Sequence, residues 1–104
     1  MNVVNLIGRL TKDPEVNEYG KGKNKTIVAT FTLAVDGYGD KTNFIRCKAF
    51  NTKADFCENY LFKGVKIGIT GEIVTDSYED KNGNTVYITE VLCNNFTFCE
   101  KKDK

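Results

Sequence analysis

The sequence predicts an all-β domain carrying one helix, folded as a five-stranded antiparallel barrel. Three observations predict it. Five separate runs show the period-of-two alternation of half-buried strands. One stretch alone repeats its apolar residues at helical spacing. The connections between runs are built from Gly, Asn and Asp, the residues of tight turns. At 104 residues with 28% charged side chains, the chain has the size and polarity of a single soluble globule. No apolar run approaches the roughly 20 residues that cross a bilayer, and Met1–Asn5 lacks the basic start of a signal peptide. The expectation is a cytoplasmic protein with no membrane partner.

Taken in order, Val4, Leu6 and Leu10 alternate with Asn5 and Arg9, which makes residues 3–10 a first strand. Gly8 falls on its apolar side and marks a bulge or a close backbone approach. Asp13-Pro14 breaks the run, and a short strand is expected around Glu15–Asn17. A loop with three lysines follows through Lys25, read as solubilising charge. Ile27, Ala29, Phe31, Leu33 and Val35 then alternate cleanly with Val28, Thr30, Thr32 and Ala34, giving a long second strand. Asp36–Asp40 turns it into a third strand, residues 42–50, with Tyr38 at the tip of the hairpin.

The helix begins at Thr52, expected as its cap with Asp55 in the capping-box position. Phe56, Cys57, Tyr60 and Leu61 share one face, expected to be core, and Gly64 is read as the stop. Val65, Ile67, Ile69, Gly71 and Ile73 form the inner face of a fourth strand, and its outer parity runs on to Asp76 and Tyr78. Asn82-Gly83 is a strong hairpin signal. The fifth strand, residues 85–98, is apolar on both parities, so either both sides are buried or a bulge switches its faces. Residues 100–104 read as a polar tail, leaving 1–99 as the domain. Three strands, a helix and two strands is the order of an OB-fold, a Greek-key barrel that binds oligonucleotides on its second and third strands.

The third strand carries the chemistry. Ile45, Cys47 and Ala49 point one way as core, while Phe44, Arg46, Lys48 and Phe50 point the other. A solvated sheet face explains the two cations but not the two phenylalanines. Those rings are covered by a subunit or loop, or they form a stacking platform with the cations between them meeting phosphates. Formal net charge is only +1, so a polyanion site has to arise from local segregation of cations.

Other chemistries find less support. Cys47, Cys57, Cys93 and Cys99 are read as free thiols, since nothing indicates a secretory context. There is no histidine and no close cysteine pair, so neither a metal nor a cofactor is expected. A magnesium-dependent nuclease would need Asp13, Glu15, Asp36 or Asp40, each of which has a turn or capping role available. The protein is therefore expected not to be an enzyme. An OB-fold that reads RNA or serves as a primosome adaptor is the second binding reading, because fold does not fix function. A purely structural role would bury Phe44 and Phe50 at an interface.

A family resemblance adds to this. Gly8-Arg9-Leu10-Thr11-Lys12-Asp13-Pro14-Glu15, Ala29–Val35 and Phe44-Ile45-Arg46 resemble bacterial-type single-stranded DNA-binding proteins, and so do Asn59–Gly64, Gly71-Glu72-Ile73, Ser77–Asp80, Gly83 and Thr89-Glu90-Val91. The likeness covers residues 2 to about 99. It implies a homotetramer, with a dimer as the smaller assembly, that wraps single-stranded DNA without sequence preference during replication, recombination and repair. The family's stacking aromatics fall on Tyr38, Phe44, Phe50 and Tyr78. Arg46 and Lys48 fall on phosphate contacts, with Arg9 and Lys53 beside them.

The family most often has Trp at three of the four aromatic positions, whereas this chain has none. Val74-Thr75-Asp76 replaces the basic residues that commonly precede the fourth aromatic, and the Asp36–Asp40 turn is shorter than the family's loop. The last four residues include three lysines... where the family has an acidic recruiting tip, so no tail-mediated partner is expected. Both a truncated chain and a compact phage-type form fit that ending. Subunit pairing is expected through the first strand, at Val3, Asn5 and Ile7.

Overall fold

Alternating side chains become six strands in the computed structural model, which describes residues 1–99. They are β1 (Val4–Leu10), β2 (Glu15–Tyr19), β3 (Thr26–Asp36), β4 (Thr42–Phe50), β5 (Lys66–Glu79) and β6 (Thr85–Phe98). A single α-helix, α1 (Thr52–Tyr60), lies between β4 and β5. The sheet runs β1-β5-β6-β4-β3-β2, and a further pairing of β1 with β3 closes it. This is the OB-fold barrel, mostly β with one helix between its third and fourth long strands. The short strand expected at Glu15–Asn17 is β2, which pairs with β3 from Glu15 opposite Thr30 to Tyr19 opposite Thr26.

One pairing departs from the antiparallel rule. β6 lies parallel to β4, with Cys47 opposite Val91 and Lys48 opposite Leu92. Loop lengths report only on strands adjacent in sequence, and these two are separated by α1 and β5. Residues 100–104, read above as a tail, lie outside the described residues.

Closure depends on two close backbone approaches. A Cβ on Gly8 would stand 2.5 Å from the Ala34 carbonyl oxygen, where β1 crosses onto β3. A Cβ on Gly71 would run into the Leu92 carbonyl oxygen. The second contact sits at a bulge: Thr70 faces Asn95 while Gly71 faces Cys93, leaving Asn94 as the extra residue on β6. That extra residue settles the two-sided apolar pattern of β6. Val91 and Cys93 point inward before it, and Phe96 and Phe98 pack against the core after it. The inner parity of β5 also ends early, because Ile73 is exposed.

The core is formed by Leu10, Phe31, Leu33, Ile67, Ile69 and Val91, together with the small residues Ala29, Cys47 and Ala49. Helix α1 caps the barrel through Ala54 and Cys57, both fully buried. Phe56 stacks on Phe96 with ring centroids 5.0 Å apart. Its partner Tyr60, expected in the core, is half-exposed and lies 5.1 Å from Phe56.

The helix boundaries also differ from the expected ones. Asn51 occupies the cap position and Thr52 is already helical. The Asn51 backbone N–H donates to Ile27 O and its Oδ1 accepts from Ile27 N–H, at 2.8 and 3.1 Å. Those bonds commit the side chain to β3 and hold Asn51 at a φ of 54°. At the other end the helix stops at Tyr60, before Gly64, whose φ of 89° serves the turn into β5.

All four cysteines are free thiols. Burial is the main cause that pushes the Cys57 thiol up to about 12. Cys47 is raised further, first by a hydrogen bond with Cys93 and then by burial.

Two outcomes follow from this packing. Gly71→Ala is expected to cost about 1–3 kcal/mol or more in urea unfolding, since a backbone carbonyl cannot step aside. An unchanged midpoint contradicts the close approach. At pH 8 a thiol reagent is expected to modify Cys99, the exposed cysteine, and to reach Cys47, Cys57 and Cys93 only in denaturant. Rapid native modification of a second thiol contradicts the burial.

Candidate nucleic-acid interface

The register of the sheet lays out its outer face. On β3 and β4 the outward residues pair as Ala34 with Phe44, Thr32 with Arg46, Thr30 with Lys48 and Val28 with Phe50. Arg9 on β1 pairs with Ala34, so Arg9, Ala34 and Phe44 form one row across three strands. The central member is small, which leaves space between cation and ring. Phe44 is 66% exposed and nothing in the barrel covers it. Phe50, at the far end of the strand, is half-buried under the Lys48 ammonium, which stands 5.6 Å from its ring centroid.

On β6 the outward parity holds Val86, Ile88, Glu90 and Leu92. Its partners on β5 are Tyr78, Asp76, Val74 and Glu72. Tyr78 therefore shares the face of Arg46 and Lys48. It stands four residues further along the hairpin than Val74, about 13 Å at strand rise. Tyr78 is 53% exposed, and Tyr38, at the tip of the β3–β4 turn, is 98% exposed. The Asp80 carboxylate shapes the end of the hairpin by accepting the N–H groups of Asn82 and Asn84, each at 2.9 Å.

Of the sequence-selected residues, Phe44, Arg46, Lys48 and Phe50 occupy one face of one strand, and Arg9 joins them through the sheet register. Arg9 also donates from Nη1 to the Gly64 carbonyl oxygen at 2.9 Å, which anchors it to the turn before β5. Tyr38 and Tyr78 flank the face from two different hairpins. Lys53 stands exposed in the first turn of α1, beyond the end of β4 and off the sheet.

Sequence reasoning missed Glu90. Its carboxylate, 8% exposed at the residue level, lies between the two cations of β4. Oε1 is 3.2 Å from Lys48 Nζ, and Oε2 is 3.4 Å from Arg46 Nη2. An available signal was an acid set among Val86, Ile88 and Leu92, an otherwise apolar parity. Its meaning depended on the β4–β6 pairing, which no local pattern reveals. Arg46 also lines two grooves. One is bounded by Phe44, Ile73, Thr89 and Glu90. The other is bounded by Lys12, Asp13, Thr30 and Thr32. Among the described residues there is no cluster of His, Cys, Asp and Glu able to hold a metal ion, and no helix long and apolar enough to cross a membrane.

Comparison with known proteins places the chain in a family. The chain is 42% identical to a single-stranded DNA-binding protein of Enterococcus faecalis, over 98% of this chain and 56% of that one. It is 41% identical to single-stranded DNA-binding protein 1 of Staphylococcus aureus, over 99% of this chain and 64% of the relative. For the single-stranded DNA-binding protein of Bacillus cereus the identity is 40%, over 99% and 62%. The chain thus spans a little over half to about two thirds of the length of these relatives. The single-strand binding protein family matches residues 1–99. The chain belongs to the single-strand binding protein family.

Proposed function

We propose that this protein binds single-stranded DNA without sequence preference and protects it during replication, recombination and repair. It acts as a binder and not as an enzyme. The observation that carries this reading is the outer face of β4, where Phe44, with about two thirds of its surface exposed, shares the strand face with Arg46 and Lys48. Bases stack on Tyr38, Phe44, Phe50 and Tyr78, and Arg46, Lys48, Arg9 and Lys53 meet phosphates. Stacking tolerates any base because every base has a π-face, and a double helix hides those faces. The modest net charge makes stacking the larger share of affinity.

Removing both β4 rings, as Phe44→Ala with Phe50→Ala, is expected to cost about 2–6 kcal/mol of binding to a dT oligomer. Tyrosine fluorescence titrated at two salt concentrations reads it, with assembly followed in parallel by light scattering. Intact affinity with lost assembly would reassign those rings to a subunit contact. A matched RNA oligomer bound as tightly as DNA would favour the RNA-binding reading, the 2′-hydroxyl being the group that differs.

Assembly belongs to the same proposal. β1 pairs with β5 along Val4–Arg9 but with β3 only at Arg9 and Leu10, which leaves most of its second edge open. Val3 and Ile7 expose apolar side chains along it. Two copies meet there, and pairs of pairs give a homotetramer. Light scattering is expected to return four chains per particle, and a monomer at micromolar concentration contradicts it.

A further inference from the structure

We infer that Glu90 is a built-in counterion that competes with phosphate for Arg46 and Lys48, and so sets how strongly and how reversibly this face holds a nucleic-acid strand. The inference rests on the single-stranded DNA reading above. The Glu90 carboxylate is nearly covered, and each of its oxygens serves a different cation, Lys48 at 3.2 Å and Arg46 at 3.4 Å. The face that looks doubly basic in sequence therefore carries one net positive charge across three ionised groups. The two cations differ in freedom. The Arg46 side chain is 61% exposed and can swing to a phosphate, whereas the Lys48 side chain is 20% exposed and lies over Phe50.

Glu90 is a positioning residue. It holds the Lys48 ammonium at 3.2 Å, and a phosphate that engages either cation has to share it with a fixed carboxylate. A shared cation neutralises a phosphate incompletely, so fewer condensed counterions leave the strand and the salt dependence of binding is blunted. For a protein that coats strands which polymerases must later reach, an internal competitor favours rapid release over maximal affinity.

The test is Glu90→Gln, which keeps the shape of the side chain, removes its charge and leaves one oxygen able to accept from one of the two cations. Wild type and variant are titrated with a dT oligomer from low to moderate salt, alongside thermal unfolding. The variant is expected to bind severalfold more tightly at low salt. Its plot of log affinity against log salt is expected to steepen by about 0.7, the increment for one further phosphate neutralised on a single strand. Adding Lys48→Gln to that variant is expected to remove much of the steepening. A slope unchanged in Glu90→Gln overturns the inference, as does weaker binding at every salt concentration in a variant that unfolds at the wild-type temperature. Should the variant unfold early, Glu90→Asp supplies the second reading: its shorter reach loosens the contact while keeping the charge, and a slope no steeper than wild type in a folded protein overturns the inference. Wild-type protein that fails to bind dT at all would instead sink the DNA reading itself, which keeps the two failures distinct.

Discussion

Closure of the barrel depends on two places where one backbone approaches another more closely than a side chain permits. At Gly8 the first strand leaves β5 and crosses onto β3. At Gly71 the fifth strand meets the bulge in β6. Without the first contact the sheet stays open between β1 and β3. Without the second, Phe96 and Phe98 keep the parity of Val91 and Cys93 in reverse and turn away from the core. Curvature around these points gives β4 one buried face and one open face, and the open face carries Phe44, Arg46, Lys48 and Phe50.

The electrostatics of that face are local. A chain with a net charge of +1 gains no long-range attraction to a polyanion from its total charge. What it has is an arrangement: Arg9 in the row of Phe44, Arg46 beside two grooves, and Lys48 drawn between a ring and a carboxylate. Glu90 changes the meaning of the two β4 cations. In sequence they are a pair of free positive charges; in the fold they are two arms of a three-member ion cluster. Such a cluster restricts the rotamers of all three side chains at once.

Much of this was legible in the sequence, and for identifiable reasons. Alternation is a local property of the chain, so the runs at residues 27–35 and 42–50 gave both their extent and their faces. Asn82-Gly83 marked its turn because a positive φ is needed there, and Gly83 has a φ of 81°. The place of Gly8 on an apolar parity signalled a bulge or a close approach, and the fold has the close approach. Less legible were the ends of the helix. Thr52 and Gly64 carry good local signals, yet Asn51 is committed to Ile27, twenty-four residues earlier, and the chain leaves the helix at Leu61. Tertiary hydrogen bonds outweighed local capping preference.

The amino-acid order by itself determined the strand faces, the single helix and the placing of Phe44, Arg46, Lys48 and Phe50 on one face of β4, because each follows from periodicity or from a turn. Only the tertiary structure decided that β6 runs parallel to β4, that Asn94 is the bulged residue and that Glu90 lies beneath Arg46 and Lys48. Those features join residues forty or more positions apart or depend on the exact register of two paired strands. A contact between strands distant in sequence leaves no period for a linear reading to detect.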